Sequence, residues 1–102
     1  MKVKVPATIK IATHSYNVSF RPHLRTDEKL DGFANHRTGE LALEPEQPDS
    51  QKGVTLIHES IHIIQKIYEV GIDENDTERL AQGLMELLAN NLGIELDWSD
   101  IT

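Results

Sequence analysis

The sequence predicts a single α+β domain in which a small sheet of three or four strands precedes two helices. Apolar and polar residues alternate through about the first 44 positions, as they do in half-buried strands, and apolar residues recur at helical spacing after residue 50. Strands followed by helices are the order of an α+β domain. The chain has 102 residues, 38% of them hydrophobic, which is enough for one small core and no second domain.

The sheet is expected within about residues 1–44, with antiparallel or mixed pairing. Residues 8–12 and 15–20 both alternate, and the break at Thr13 and His14 between them predicts a hairpin. A second hairpin is predicted from residues 30–34 and Glu40–Leu43, because the segment between them contains the turn formers Asn35 and Gly39.

The first helix is predicted over about residues 50–70. It follows a loop with two prolines, begins at an N-cap formed by Asp49 or Ser50, and ends at Gly71. A helical wheel gives it two apolar sides, so we expect it to lie between the sheet and a second helix. One polar arc, which carries His58 and His62, is left uncovered.

The second helix is predicted over about residues 76–92, with Asp76 as its N-cap and Gly93 after its end. Glu78 lies at the edge of its apolar arc and can face the first helix. The tail, residues 93–102, also alternates. It is expected to be a packed terminal strand, and the alternative is a latency or dimerisation element that brings Asp97 or Asp100 into the cleft.

The segment His58-Glu59-Ser60-Ile61-His62 has the pattern H-E-x-x-H, which places two imidazoles about 6 Å apart on one helix face. An isolated histidine on such a face is most often a solvent-exposed side chain, but the pair with a carboxylate between them is typical of a catalytic zinc site. Glu59 is placed to accept a proton from a bound water. The candidate third ligand is Glu78, or Glu74 if the helix begins sooner.

Composition disfavours several other classes of function. The net charge of −7 argues against nucleic acid or an anionic membrane as a partner. No apolar run is long enough for a transmembrane helix, and no signal peptide is recognisable, so a cytoplasmic location is expected. The chain contains no cysteine, which restricts protein metal ligands to His, Asp and Glu.

The motif and the segment Glu78-Arg79-Leu80-Ala81 together resemble the gluzincins, metallopeptidases in which H-E-x-x-H is followed by a glutamate on a later helix. The chain is more closely similar to the minigluzincins and, more distantly, to the ImmA-type phage metallopeptidases. Residues 32–43 resemble the turn and strand that precede the motif helix in these proteins. The resemblance covers about residues 30–92.

This resemblance implies a zinc-dependent metallopeptidase, latent or narrow in specificity, with one zinc ion per chain held by His58, His62 and Glu78. Glu59 is then the general base and acid, and a peptide substrate pairs along an edge strand, Glu40–Leu43. A homodimer is a further expectation. The alternative is a non-catalytic zinc-binding interaction module with the same metal site. Candidates for stabilising the oxyanion are Tyr68, His36 and His23.

Overall fold

A computed structural model describes the whole chain, residues 1–102, and confirms the α+β class. Two helices follow most of the strands, and two short π-helical turns interrupt the chain at Leu24–Glu28 and Leu87–Asn91. The elements are β1 (Lys2–Lys4), β2 (Thr8–Ile11), β3 (His14–Phe20), β4 (Gly32–Asn35), β5 (Glu40–Leu43), α1 (Asp49–Tyr68), α2 (Glu74–Glu86) and β6 (Glu95–Asp97).

The main sheet has four strands in the order β2-β3-β5-β4. Both predicted hairpins are present, because β2 pairs antiparallel with β3 and β4 pairs antiparallel with β5. The two hairpins join through parallel pairing of β3 with β5, so the sheet is mixed. In the β4–β5 turn, the Asn35 side chain accepts hydrogen bonds from the backbone N–H groups of Arg37 and Thr38, and Gly39 supplies a positive φ of 70°.

The prediction that Glu40–Leu43 is an edge strand is wrong. β5 lies between β3 and β4, and the edge beside the helices is β4. The physical reason is visible in the sequence of β5. Three consecutive residues, Leu41, Ala42 and Leu43, are apolar and have no exposed surface. An unbroken apolar run of this kind is typical of a strand covered on both faces.

Helix α1 packs its Ile63 face against the sheet, with Leu56 and Ile67 at the margin of the same core. Its second apolar side is only partly covered, since Ile64 and Tyr68 are 40% and 60% exposed. The helix ends earlier than predicted. The αL residue that terminates it is Glu69, at a φ of 55°, and Gly71 comes two residues later.

The start of the helix also differs, because Pro48 occupies the N-cap position and no side chain caps the first turn. Asp49 is therefore the first helical residue. Proline at this boundary has its φ already fixed and has no N–H group to satisfy, so it can precede the helix without a capping side chain.

Helix α2 begins at Glu74, two residues before the predicted N-cap. Asp73 is the N-cap residue, and its side chain accepts a hydrogen bond of 2.7 Å from the backbone N–H of Asp76. Both aspartates are suitable caps, and the choice between them moves the first turn of the helix. Because the helix starts sooner, Glu74 joins the face that packs on α1.

The tail is a packed terminal strand, as the first of the two predictions for it stated. β6 pairs in parallel with β1, and beyond it Trp98 and Ile101 enter the core. Asp97 accepts a hydrogen bond from the N–H of Ser99, and Asp100 pairs with Lys4. Neither aspartate lines the groove beside the histidines of α1. No helix in the structure has the length and apolar character needed to span a membrane.

Candidate metal centre

Helix α1 brings the side chains of His58, Glu59 and His62 together, each offering one donor atom within 4.8 Å of the others. The two histidines are one helical turn apart, so their rings lie on the same face. Their Nε2 atoms are 3.0 Å from each other. This confirms that the H-E-x-x-H segment is helical and that its three chemical groups form one cluster.

Glu74 of α2 completes this cluster from the opposite helix. One carboxylate oxygen lies 2.6 Å from Nε2 of His58, and the other lies 3.1 Å from Nε2 of His62. Ligands held at about 2.05 Å in a tetrahedron around zinc are separated from one another by roughly 3.3 Å. The three groups therefore already have close to the mutual spacing of ligands around one ion.

The other ring nitrogens also have hydrogen-bond acceptors as partners. Nδ1 of His58 lies 2.6 Å from a carboxylate oxygen of Glu78, and Nδ1 of His62 lies 2.9 Å from the amide oxygen of Gln65. The Gln65 amide nitrogen donates to the carbonyl of Ile72, which orients its oxygen towards His62. Each Nδ1 therefore has a group to which it can donate a proton, which leaves Nε2 able to bind a metal ion.

With the protons on Nδ1, the lone pairs of both Nε2 atoms point at each other and at the Glu74 carboxylate. Three acceptors cannot satisfy one another, so close contact between them requires a proton or a metal cation among them. Two imidazoles and one carboxylate are a common set of protein ligands in catalytic zinc sites. In such sites the other nitrogen of each ligating imidazole usually donates a hydrogen bond to an acceptor, which orients the ring. The donor set thus fits a divalent metal ion.

The structure exchanges the positions that the sequence led us to expect for Glu78 and Glu74. Glu78 faces α1, as predicted, but it contacts the Nδ1 atom of His58, and its second oxygen accepts a hydrogen bond from Gln82. The alternative ligand, Glu74, is the carboxylate that reaches the Nε2 atoms. Gln65 was not identified from the sequence. Its spacing of three residues from His62 is the only signal that points to it.

Glu59 lies on the sheet side of the cluster and lines the groove together with His62 and Glu74. Burial raises the pKa of Glu59 above its ordinary value of 4.5, while the neighbouring His58 and His62 act in the opposite direction. A raised pKa brings a carboxyl group closer to the range in which it can both take and return a proton near neutral pH.

A groove runs past the cluster on both sides, with the free edge of β4 along its rim. Beside His62 it has a volume of about 660 Å³, and beside His58 an adjoining cavity has about 280 Å³. The two parts share Leu30, Gly32, Glu59 and Glu74.

The three predicted oxyanion stabilisers lie in different places. His36 lines the groove beside His62. Tyr68 is 60% exposed at the end of α1, and His23 lines a separate cavity of about 350 Å³. Of the three candidates, His36 alone is therefore placed along the groove that contains Glu59.

No family model and no curated protein matches the sequence, and no solved structure matches the chain.

Proposed function

We propose that this protein is a zinc-dependent peptidase of the gluzincin type. The observation that carries the proposal is the convergence of two imidazole lone pairs and a carboxylate, next to a second, partly buried carboxylate. A purely structural metal site is normally closed by four protein ligands and has no use for a general base. Here the Glu74 side chain is 68% exposed, so the site is open to the groove.

The metal ligands in this proposal are Nε2 of His58, Nε2 of His62 and the carboxylate of Glu74. The spacing of the acceptors supports Glu74 as the third ligand in place of Glu78. A carboxylate that accepts the Nδ1 proton of His58 lies on the far side of the imidazole ring from the Nε2 lone pair. In our proposal Glu78 and Gln65 hold the two rings in the tautomer and orientation that ligation requires.

A zinc ion held by these ligands would supply an acidified water and polarise a carbonyl group. Glu59 takes a proton from the attacking water at its carboxylate and returns it to the leaving amine. An oxygen of Glu59 lies within 4.8 Å of a nitrogen of each imidazole, beside the position of such a water, which supports this double role. Peptide bond hydrolysis is the reaction that these two functions serve.

We propose that the substrate is an extended peptide that pairs with β4. Its neighbour β5 has partners on both sides, whereas one edge of β4 is unpaired and borders the groove. Unpaired strand edges bind extended peptides through backbone hydrogen bonds. The recognition mode expected from the sequence is therefore retained, but it moves from Glu40–Leu43 to Gly32–Asn35.

Elemental analysis of the purified protein tests the ligand set. We expect about one zinc per chain in the parent and its loss in variants His58→Ala and Glu74→Gln. The variant Glu78→Gln should still bind zinc, with an affinity lower by about 10- to 100-fold. Retention of full affinity in Glu74→Gln together with loss of metal in Glu78→Gln would instead identify Glu78 as the ligand. The same measurement identifies the metal, since His and carboxylate ligands accept other divalent ions.

A second experiment separates the peptidase from a non-catalytic zinc-binding module. Cleavage of a peptide library should be lost in Glu59→Gln, by at least about 100-fold, while the zinc content stays that of the parent. A zinc-loaded parent that cleaves no peptide in the library would favour the module.

A further inference from the structure

The groove beside His62 contains a lysine with no ionic partner. Lys66 lies one helical turn beyond His62 on α1 and lines this part of the groove. Its side chain is exposed, and its ammonium group takes part in none of the eight ion pairs of the structure. In a chain with a net charge of −7, a cation without a carboxylate partner at the edge of the groove is available to a ligand.

His36 lies on the opposite wall of the same groove, in the turn after β4. Its Nδ1 atom is 2.9 Å from the hydroxyl oxygen of Tyr16, a side chain that is only 3% exposed. The buried hydroxyl proton needs an acceptor, and the lone pair of Nδ1 is the acceptor within reach. With Tyr16 donating to Nδ1, the ring carries its own proton on Nε2.

This tautomer makes His36 a hydrogen-bond donor towards the groove. Burial lowers the pKa of His36 below its ordinary value of 6.5, and the nearby Lys66 acts in the same direction, which favours the neutral ring near pH 7. Both side chains line the same part of the groove. One wall of the groove thus offers an ammonium group, and the other offers an N–H group fixed in position by the core.

The part of the groove beside His58 is more acidic. Glu59 and Glu74 line both parts, but the part beside His58 also carries the carboxylates of Asp31 and Glu78, with Lys29 as the one cation. An anionic group is repelled more strongly there than at the Lys66 end. The charge difference along the groove therefore distinguishes the two halves of a bound peptide.

We propose that Lys66 and His36 form a carboxylate-binding subsite, through which the groove selects a peptide with an acidic group on one side of the cleaved bond. The proposal deepens the proposed function and rests on it, because it takes the ligand to be a peptide. The carboxylate belongs to an Asp or Glu side chain or to a free carboxy terminus. Both provide the acceptor oxygens that an ammonium and an imidazole N–H group bind.

The test is peptide binding to zinc-loaded Glu59→Gln protein, in which the peptide stays intact. Three probes are compared by calorimetry: acetyl-Ala-Glu-Ala-amide, acetyl-Ala-Gln-Ala with a free carboxy terminus, and the neutral acetyl-Ala-Gln-Ala-amide. We expect one of the two anionic probes to bind about five- to tenfold more tightly than the neutral probe, with a preference that weakens as salt is added. The probe that shows the preference identifies the source of the carboxylate.

Variants in the same Glu59→Gln background connect the preference to the two residues. Lys66→Met and His36→Phe should each reduce it to less than about twofold. Lys10→Met is the matched control, because it removes the same charge from β2 at the opposite edge of the sheet and should leave the preference unchanged. A preference that survives in Lys66→Met does not arise from the subsite and overturns it, as does equal binding of all three probes by the Glu59→Gln protein without further substitutions.

One readout that does not depend on turnover, and one that does, complete the test. Nitrogen-15 NMR of the His36 ring should show the proton on Nε2 in the parent and a mixture of tautomers in Tyr16→Phe. A proton on Nδ1 in the parent would remove His36 from the subsite.

A parent protein that cleaves peptides without any preference for acidic ones refutes the subsite alone. A protein that binds the anionic probe more tightly but cleaves no peptide refutes the proposed peptidase function and supports the carboxylate-binding subsite.

Discussion

Glu44 is a single buried residue that links helix α1 to the end of β5. It is 5% exposed, and its carboxylate accepts hydrogen bonds from the backbone N–H groups of Arg25 and Glu46. Its backbone carbonyl accepts a hydrogen bond from Gln47, whose side-chain oxygen in turn accepts one from Thr55. Thr55 is three residues before His58, so this buried network ties the segment of α1 that carries His58 to the end of β5.

The Glu44 contacts predict a loss of stability in acid. The hydrogen bond from the Arg25 N–H is the main cause of a pKa below the ordinary 4.5 for this carboxyl. A group whose pKa is lowered by folding stabilises the native state above its unfolded pKa, and this contribution is lost as the pH falls through the folded pKa. Unfolding followed by Trp98 fluorescence should therefore show stability that declines from about pH 4.5 downwards.

The matched variant for this prediction is Glu44→Gln, which cannot ionise. It should be less stable than the parent at pH 7 and should lose less stability between pH 7 and pH 3. A parent and variant whose midpoints decline in parallel would show that Glu44 is not responsible for the acid dependence.

At the scale of elements, the close approach of β4 to α1 depends on Gly32. A Cβ atom at this position would lie 2.7 Å from Cγ2 of Thr55 and 2.8 Å from the backbone carbonyl oxygen of Ala42. The backbone of β5 cannot move aside cheaply, because β5 is paired on both sides. The absence of a side chain at Gly32 therefore allows the edge strand to lie next to the cluster of His58, Glu59 and His62.

We expect Gly32→Ala to destabilise the protein by about 1–3 kcal/mol, as overpacking in a filled core does. Gly83→Ala is the matched control, since Gly83 lies within α2 and nothing is within 4 Å of the added methyl group. That variant should be more stable by about 0.5–1 kcal/mol because alanine is the better helix former. Chemical denaturation of both variants measures the two effects, and equal stability changes would contradict the role assigned to Gly32.

At the scale of the whole molecule, the two ends of the chain hold each other in place. β1 and β6 pair in parallel, and the N-terminal amino group donates to the carbonyl of Gly93. Trp98 and Ile101 then lie in the same core cluster as Ile63 of α1. The tail thus contributes to the core that supports helix α1.

Truncation after Gly93 should accordingly unfold the protein. Loss of a buried tryptophan alone costs about 3–5 kcal/mol, and domains of this kind have only about 5–15 kcal/mol in total. Circular dichroism of the truncated chain should show loss of the cooperative transition. A folded, more active truncated protein would restore the latency role considered for the tail.

The homodimer expected from the sequence remains a prediction, and the structure offers one surface for it. Ile64, Tyr68, Leu80, Leu84 and Leu87 are 40–60% exposed. Ile64 lies about 160° around α1 from His62, and Leu80 lies about 160° around α2 from Glu78. This surface therefore faces away from the groove. It exposes roughly 500 Å² of apolar side chain, and two copies would together bury about the 1,000 Å² that a specific interface requires.

We expect light scattering to give a dimer for the parent and a monomer for Leu84→Glu, with unchanged zinc content in both. Leu30→Glu is a control at another exposed leucine, which is 41% accessible and lies outside this surface. A monomeric parent at high concentration would show that this surface is not covered by a second copy.

The sequence by itself determined the α+β class, both hairpins, the existence of two helices and the pairing of His58 with His62. These features depend on local periodicity, turn residues and spacing along one helix, which a single segment contains. The sequence also placed a carboxylate on the second helix facing the first, and it named both Glu74 and Glu78 as candidates.

Only the tertiary structure decided which carboxylate reaches the Nε2 atoms and which strand forms the edge. The start of α2 depends on a choice between two capable caps, Asp73 and Asp76, and the earlier cap adds three residues, nearly one turn, which place Glu74 on the helix one turn before Glu78. The edge position depends on the parallel pairing of β3 with β5, a contact between segments that are separated in the chain by a π-helical turn and β4. Long-range contacts of this kind leave little local pattern in the sequence, so the edge position of β4 and the placement of Lys66 and His36 along one groove became visible only in three dimensions.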